Sequence, residues 1–435
     1  VKKSAEFLQW FMHEKHGDGS AARTVEANRM QSRLVALDLE GMLDEDHQAR
    51  AVWAYVERLD LSAFYARIGA REGRAGRPAI DPHILLALWI LATLEGVGSA
   101  REIERLSEQH VAYQWICGGV HVNHHTLSDF RNLSGDLLNG LLTQSVALLM
   151  ASGLAELRRV AQDGMKVRAS AGASSFRTGA RLKVFSKIAR EQVERLAEEI
   201  NTDTGAGNKR QESARKHAAE SRMRRIERAL KELKNAEQRK RSNNGKKKTK
   251  PRSSTTDPEA RVMKMADGGF RPAFNVHLVS DTKSKAILAV QVNNEADSRT
   301  MVPLAEQVEN RYGVRPKQWL ADGGCTSLGN IDKMTRRGQK VYSPLRVRQR
   351  KDRKPTDPLP TDSTAVRDWR KRMSTRTAKK IYRERGATAE LVNAWLRRQG
   401  LWQFLVRGTQ KALAVVLLHA LTNNMQRAWN FAYPA

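Results

Sequence analysis

Cysteine is nearly missing from this chain. Its 435 residues include two, Cys117 and Cys325, far apart and outside any CxxC pair. That excludes a disulfide framework and a thiolate zinc finger, and it suits a reducing compartment. Long apolar runs are missing as well. Ile84–Leu94 and Ala412–Leu421 are too short to cross a bilayer and read as buried helices, so no membrane partner is expected. Residues 1–20 hold Lys2, Lys3, Glu6, His13, Glu14 and Lys15 without the apolar segment of a secretory signal, and none is expected. Val1 is expected to reflect an alternative start codon or a trimmed chain. Acidic side chains are in short supply: 47 Asp and Glu face 76 Lys and Arg, a formal net charge of +29. A charge so far from zero repels itself and calls for an anionic partner. Nucleic acid, whose phosphates release counterions when neutralised, is the natural one. The bland alternative is a merely soluble basic protein or a ribosome-associated one. With these features the expected location is the cytoplasm, in association with the nucleoid.

The length allows two or three domains and a sizeable core. Residues 1–155 read as helical. Asp81-Pro82 starts a nearly all-apolar helix that Gly96-Val97-Gly98 breaks. Ser99 and Glu102 have the spacing of a capping box, and Thr126-Leu127-Ser128-Asp129 opens another helix. Short helices with tight turns suit a helix-turn-helix that places Arg101, Arg105 or Arg131 near DNA, although most small helical domains read no DNA. Residues 156–170 turn to strand character around Val160. In residues 171–256, Val184, Ile188, Val193, Leu196 and Ile200 recur at helical spacing, and Met223, Ile226, Leu230 and Leu233 mark a second helix. The two read as an inserted helical hairpin. Lys246–Lys250 and Arg252–Thr256 read as a solvated basic linker. Residues 171–260 carry 24 Lys or Arg against 12 Asp or Glu, so the insert is either a solvated hairpin or an arm that clamps DNA or dimerises.

Residues 257–435 are α/β. Ala273–Val279 and Ala286–Val292 are strands joined by the turn Asp281–Ser284. Thr300–Tyr312 is a helix, Gln318–Ala321 a buried strand, Ser327–Arg337 a helix and Lys340–Tyr342 a short strand. With residues 158–164 added, these form a mixed five-stranded sheet. Arg346–Arg372 reads as an exposed basic loop.

Two aspartates, each ending an apolar run and each followed by glycine, stand out: Asp163 and Asp322. A strand delivers a carboxylate in this way to a site open to a large substrate. A helix farther on carries Tyr382, Arg385 and Glu390 in the order Tyr-x2-Arg-x4-Glu, with Arg397 two turns beyond. Three carboxylates suffice for Mg²⁺, which prefers oxygen ligands and usually takes one or two from a protein. Two such ions about 3.5–4 Å apart activate an oxygen nucleophile and stabilise the leaving oxygen of a phosphodiester. Arg385 and Arg397 are fitted to hold phosphate, and Tyr382 to bond or stack on the substrate. Taken singly, each residue has a plainer reading: Asp-Gly is most often a turn, and Glu390 an exposed helix carboxylate. Asp297 is the competing acid, read as the N-cap of the helix from Thr300. Asp257, Asp267 and Asp281 read as linker, turn and hairpin residues. His121, His124 and His125 cluster without a further ligand at zinc spacing.

These segments together resemble a bacterial insertion-sequence transposase of the DDE type. Arg159–Ala169 is similar to the strand of the family's first aspartate, and Leu320-Ala321-Asp322-Gly323-Gly324 to its second-aspartate motif. Asp257–Arg261 followed by Arg271–Val276 is similar to the next strand entry. Ile381–Arg385, Glu390 and Arg397 resemble its Tyr–Arg–Glu–basic signature, and His125–Arg131 a motif of its N-terminal helical domain. The resemblance implies an RNase H-like catalytic domain in which Asp163, Asp322 and Glu390 bind two Mg²⁺ or Mn²⁺ ions. It implies nicking of transposon ends and joining of the freed 3′-hydroxyl to target DNA. Double-stranded DNA, at the ends and at the target, is then the partner, and a homodimer or larger assembly forms on it. A transposase-derived DNA-binding protein or a metal-dependent nuclease is the alternative.

Overall fold

The computed structural model describes Met30 and residues 38–432, apart from residues 72, 74–76, 203–208, 243–249, 296 and 346–354. Helices α1 (Gln48–Glu57), α2 (Ser62–Ala66), α3 (Pro82–Leu94), α4 (Ala100–Gln109), α5 (Val111–Cys117), α6 (His124–Leu133) and α7 (Gly135–Ala151) come first. The Asp81 carboxylate caps α3 by accepting from His83 N, and Pro82 occupies the first turn, where its missing N–H costs nothing. Every residue from Ile84 to Thr93 is buried. The expected capping box is not made, since Ser99 stands at the N-cap of α4 without a side-chain bond. Helix α6 opens earlier than expected, at His124, because the Asn123 side chain accepts from Thr126 N at 2.9 Å.

Strand β1 (Arg159–Arg168) follows. Short strands β2 (Phe176–Thr178) and β3 (Arg252–Ser254) pair at the base of the insert, which is α8 (Gly179–Thr202) and α9 (Lys209–Ser242). Strands β4 (Arg261–Lys264), β5 (Phe270–Asp281) and β6 (Ile287–Asn293) lead to α10 (Met301–Tyr312), β7 (Gln318–Ala321), α11 (Leu328–Arg336) and β8 (Lys340–Tyr342). Helices α12 (Thr364–Ser374), α13 (Arg376–Arg383), α14 (Leu391–Arg398) and α15 (Thr409–Ala432) complete the chain. The sheet runs β6-β5-β1-β7-β8, with β5 antiparallel to both β1 and β6, and with β7 and β8 continuing parallel to β1. Strand β4 extends the edge of β5 beyond β6. This is a mixed sheet with flanking helices, an RNase H-like fold.

Two apolar clusters cover the two faces of the sheet. One joins Met165, Phe274, Val276 and Ile287 to α3 and α15; the other joins Val160, Val279, Leu288 and Trp319 to α10, α11 and α12. The first cluster runs without a break into the N-terminal helices, so no gap in packing marks the boundary drawn at residue 155. Helix α15 also closes the edge of β6. The Asn424 side chain accepts from Ile287 N at 2.7 Å and donates to its carbonyl at 3.0 Å, like a residue of a further strand.

Several expectations change. Arg252–Ser254 is paired strand with Ser253 and Ser254 buried, not a solvated linker, while residues 246–249 of the basic run lie outside the described residues. Within Arg346–Arg372, residues 346–354 are outside the described residues. From Thr364 the segment is helix α12, with Val366 and Trp369 in the core. The insert is a hairpin as read, but α8 faces α9 with Leu182, Ser186 and Ala189, whereas Val184 and Ile188 are exposed. Close approach at its base requires Gly179, where a Cβ would lie 2.9 Å from Leu233 Cδ2.

Candidate active site

Parallel pairing of β1 and β7 aligns Gln162 with Ala321, so Asp163, in the middle of β1 and still paired with Leu278 of β5, lies beside Asp322, the first residue after β7. Gln162, on the opposite face, locks that register: it accepts from Trp319 Nε1 at 2.9 Å and donates to Thr300 Oγ1 at 2.9 Å. Beyond β7 the chain turns at once, and Asp322 Oδ1 accepts from Cys325 N at 2.8 Å.

Glu390 arrives by a local irregularity. Between α13 and α14 the helix makes one π turn, Gly386–Glu390. In an unbroken α-helix a residue five positions on lies about 140° around the axis. A π turn, with its i→i+5 bonding, returns it to the same face. Arg385 and Glu390 are five apart, and their side chains meet: Arg385 Nη1 donates to Glu390 Oε1 at 3.0 Å. The other arm of the guanidinium, Nη2, donates to Asp163 Oδ1 at 2.9 Å. Asn393, one turn after Glu390, donates to Asp163 Oδ2 at 2.9 Å. A single arginine thus ties the first aspartate to the glutamate. Burial raises the Asp163 carboxyl above its ordinary range, against the pull of Arg385. Burial likewise raises the half-buried Tyr382 hydroxyl, which feels Arg385 and all three acids.

The Transposase DDE domain family matches residues 247–425, which include Asp322 and Glu390, and the Transposase domain (DUF772) family matches residues 37–133. The chain belongs to the DDE transposases of insertion sequences. No curated protein and no solved structure matches it. Asp163 lies outside both matched segments; strand register alone brings it beside Asp322.

Other residues of the transposase settle differently from their sequence reading. Asp297 does not cap α10. It opens a 3₁₀ turn, Thr300 takes the N-cap position, and the Asp297 carboxylate turns toward Asp322. Asn275 donates to it, and His277 Nε2 stands 3.6 Å away. Arg131, read as a DNA contact, is 6% exposed. Its guanidinium lies 4.5 Å from the Trp89 ring centroid and donates to the Gly98 carbonyl at 2.9 Å, so in this structure it holds helices together and faces no solvent. Arg397 is half-buried, and its guanidinium lies 5.3 Å from the ring of the exposed Trp402. No ion pair among the described residues joins Arg397 to the three acids. Asp257 is not a linker residue but fully buried.

Sequence reasoning missed Asn393, His277 and the bridging role of Arg385. Asn393 and His277 belong to no spacing pattern, and the π turn that swings Glu390 onto Arg385 has no signature beyond Gly386. Among the described residues no three His, Cys, Asp or Glu side chains converge tightly enough to enclose an ion. The donor set is nonetheless that of a hard divalent cation: carboxylate oxygens on adjacent strands, one within β1 and one just past β7, with an open side for water and phosphate oxygens.

Proposed function

We propose that this transposase binds transposon ends as double-stranded DNA, cleaves a strand there, and joins the freed 3′-hydroxyl to target DNA. Asp163, Asp322 and Glu390 would hold two divalent ions, Mg²⁺ or Mn²⁺. When bound, the ions supply charge stabilisation at phosphorus and acidify the attacking hydroxyl. The chain's own residues do the rest. Asp163, held within β1, and Asp322, just past the end of β7, set the spacing. Glu390, 66% exposed on the π turn, is the third acid. Arg385 screens Asp163 from Glu390 in the free protein, and its planar fork suits a phosphate once the acids have other cations. Tyr382 borders the same acids and offers a hydroxyl donor. Bringing two ends together calls for at least a dimer on DNA.

The observation that carries this reading is the β1–β7 register that sets Asp163 beside Asp322, with Glu390 tied in through Arg385. One feature favours a second reading, a transposase-derived DNA-binding protein: both Asp163 oxygens are occupied by side chains. The test is a Mg²⁺-dependent nicking and joining assay on transposon-end DNA. Asp163→Asn, Asp322→Asn and Glu390→Gln should each lower cleavage by about 10³-fold or more, the equivalent of several kcal/mol, with DNA binding retained. A joined product from a pre-cut end bearing a 3′-hydroxyl separates transposase from nuclease. Turnover that survives one of these changes removes that residue from the site, and a wild-type chain that binds but never cuts favours the second reading.

A further inference from the structure

Three features of the loop regions beside Asp322 point the same way. The first is a cradle. A Cβ built on Gly324 would lie 3.3 Å from Asp322 Oδ2 and 3.4 Å from Asp297 Oδ2, so the two carboxylates flank one bare Cα. The second is His277. It is completely buried on β5, and neither ring nitrogen has a hydrogen-bond partner among the described residues. Its Nε2 points at Asp297 Oδ1 from 3.6 Å. The ring has room because it pairs across the strands with Gly164, where a Cβ would lie 2.9 Å from its Cε1 and Nδ1. The third is the lack of a direct ion pair. Arg385 bonds to Asp163 and Glu390, whereas among the described residues no Lys or Arg forms an ion pair with Asp297 or Asp322, although Arg385 lies near enough to act on Asp322 and Lys166 and Arg261 line the same cleft as Asp297.

We infer that Asp297 is a fourth carboxylate of this site, holding with Asp322 a divalent cation over Gly324 in the free protein. The inference rests on the reading of Asp322 as a cation ligand. Two carboxylates are a usual protein contribution for Mg²⁺, with water and phosphate oxygens supplying the rest. A hydrogen bond from a neighbouring amide fixes the orientation of a ligating carboxylate's oxygens. Asn275 makes that bond to Asp297, and His277 stands behind the carboxylate at 3.6 Å. This position loads without disturbing Arg385. The Asp163–Glu390 position opens only when that guanidinium is drawn away, so the free protein takes up one cation and the DNA complex two.

The test is a Mn²⁺ titration of the full chain without DNA, followed by the paramagnetic resonance of free Mn²⁺. Wild type should bind one ion, and Asp297→Asn should weaken it at least about tenfold, as Asp322→Asn does. Gly324→Ala keeps every carboxylate but fills the cradle, and it should weaken binding as well. Asp267→Asn, on an exposed turn, should bind like wild type. Thermal melting of each variant separates loss of the ion from loss of the fold, and Gly324→Ala keeps the test usable if Asp297→Asn melts early. Wild-type affinity in Asp297→Asn or in Gly324→Ala overturns the inference, and so does a wild-type chain that binds no Mn²⁺. If Asp322→Asn alone loses the ion, Asp297 falls while the proposed function stands. If both aspartate variants lose it and the wild type cuts no DNA, Asp297 stands and the activity falls.

Discussion

Asp163 and Asp257 are both buried, and burial raises the carboxyl of each. Their partners differ. Asp257 accepts from a backbone amide, Gly408 N, at 3.2 Å to both oxygens. Beside it, Glu259 accepts from Thr409 N at 2.7 Å. The pair sits at the start of α15, where unsatisfied N–H groups and the helix dipole favour negative charge. Asp163 is instead held by two side chains, Arg385 and Asn393. A backbone amide cannot leave without unfolding the helix, whereas a side chain rotates away. Burial alone therefore does not separate a structural acid from one proposed to hold a cation; the kind of partner is what differs between the two.

The comparison is broken most directly at Arg385. Arg385→Gln leaves Asp163 buried without its counter-charge, which should cost about 3 kcal/mol. If the guanidinium stands in for a cation, Mn²⁺ should restore more of the melting temperature in the variant than it adds to wild type. Equal Mn²⁺ effects on both proteins would mean that Arg385 is a fixed strut like the Gly408 amide.

Asp257 gives the complementary test through pH. Its carboxyl is pushed up to about 6, above its unfolded value, so the folded state holds the proton more tightly. Its contribution to stability is then full below pH ~4 and is lost as pH rises toward 6, by about 2–3 kcal/mol. His419, fully enclosed on α15, works in the opposite sense. Burial lowers it to about 3, so stability rises with pH between 3 and 6.5. The two slopes oppose each other over the same range. Urea unfolding of Asp257→Asn should therefore show a steeper rise in stability from pH 4 to 6 than wild type. A profile parallel to wild type would mean that Asp257 titrates normally and that its burial has no such consequence.

The order of strands and helices was legible because alternation, apolar runs and the Asp281–Ser284 turn are local signals. Asp163 and Asp322 were legible for the same reason: each follows an apolar run that reads as a buried strand, although β1 continues past Asp163 to Arg168. What escaped depends on contacts distant in sequence. Asp297 carries the local marks of an N-cap, but Asn275, from a strand more than twenty residues earlier, takes up its carboxylate. The spacing of Val184 and Ile188 marks one face of α8, whereas the face that is buried carries Leu182 and Ala189. Arg131 stands in a segment that resembles a family motif, yet a basic residue in a helical domain says nothing about whether Trp89 lies beneath it.

Arg131 also extends the comparison to a cation, with the smallest expected effect. Like Asp257 it is bound by the backbone, here the Gly98 carbonyl, and burial pushes its guanidinium down to about 10. Arg131→Gln removes a stacked, partly desolvated charge and one hydrogen bond, while sparing the cost of burying that charge. The net loss should be about 1–2 kcal/mol in urea unfolding. A residue that neutralises a phosphate contributes about one unit to the slope of log affinity against log salt. Arg131→Gln should leave that slope unchanged, whereas Arg101→Gln, on the exposed face of α4, should lower it by about one if that helix lies along the DNA backbone. A slope that falls for Arg131 instead would mean that DNA draws its guanidinium out of the Trp89 stack. A backbone partner would then no longer mark a charge as structural.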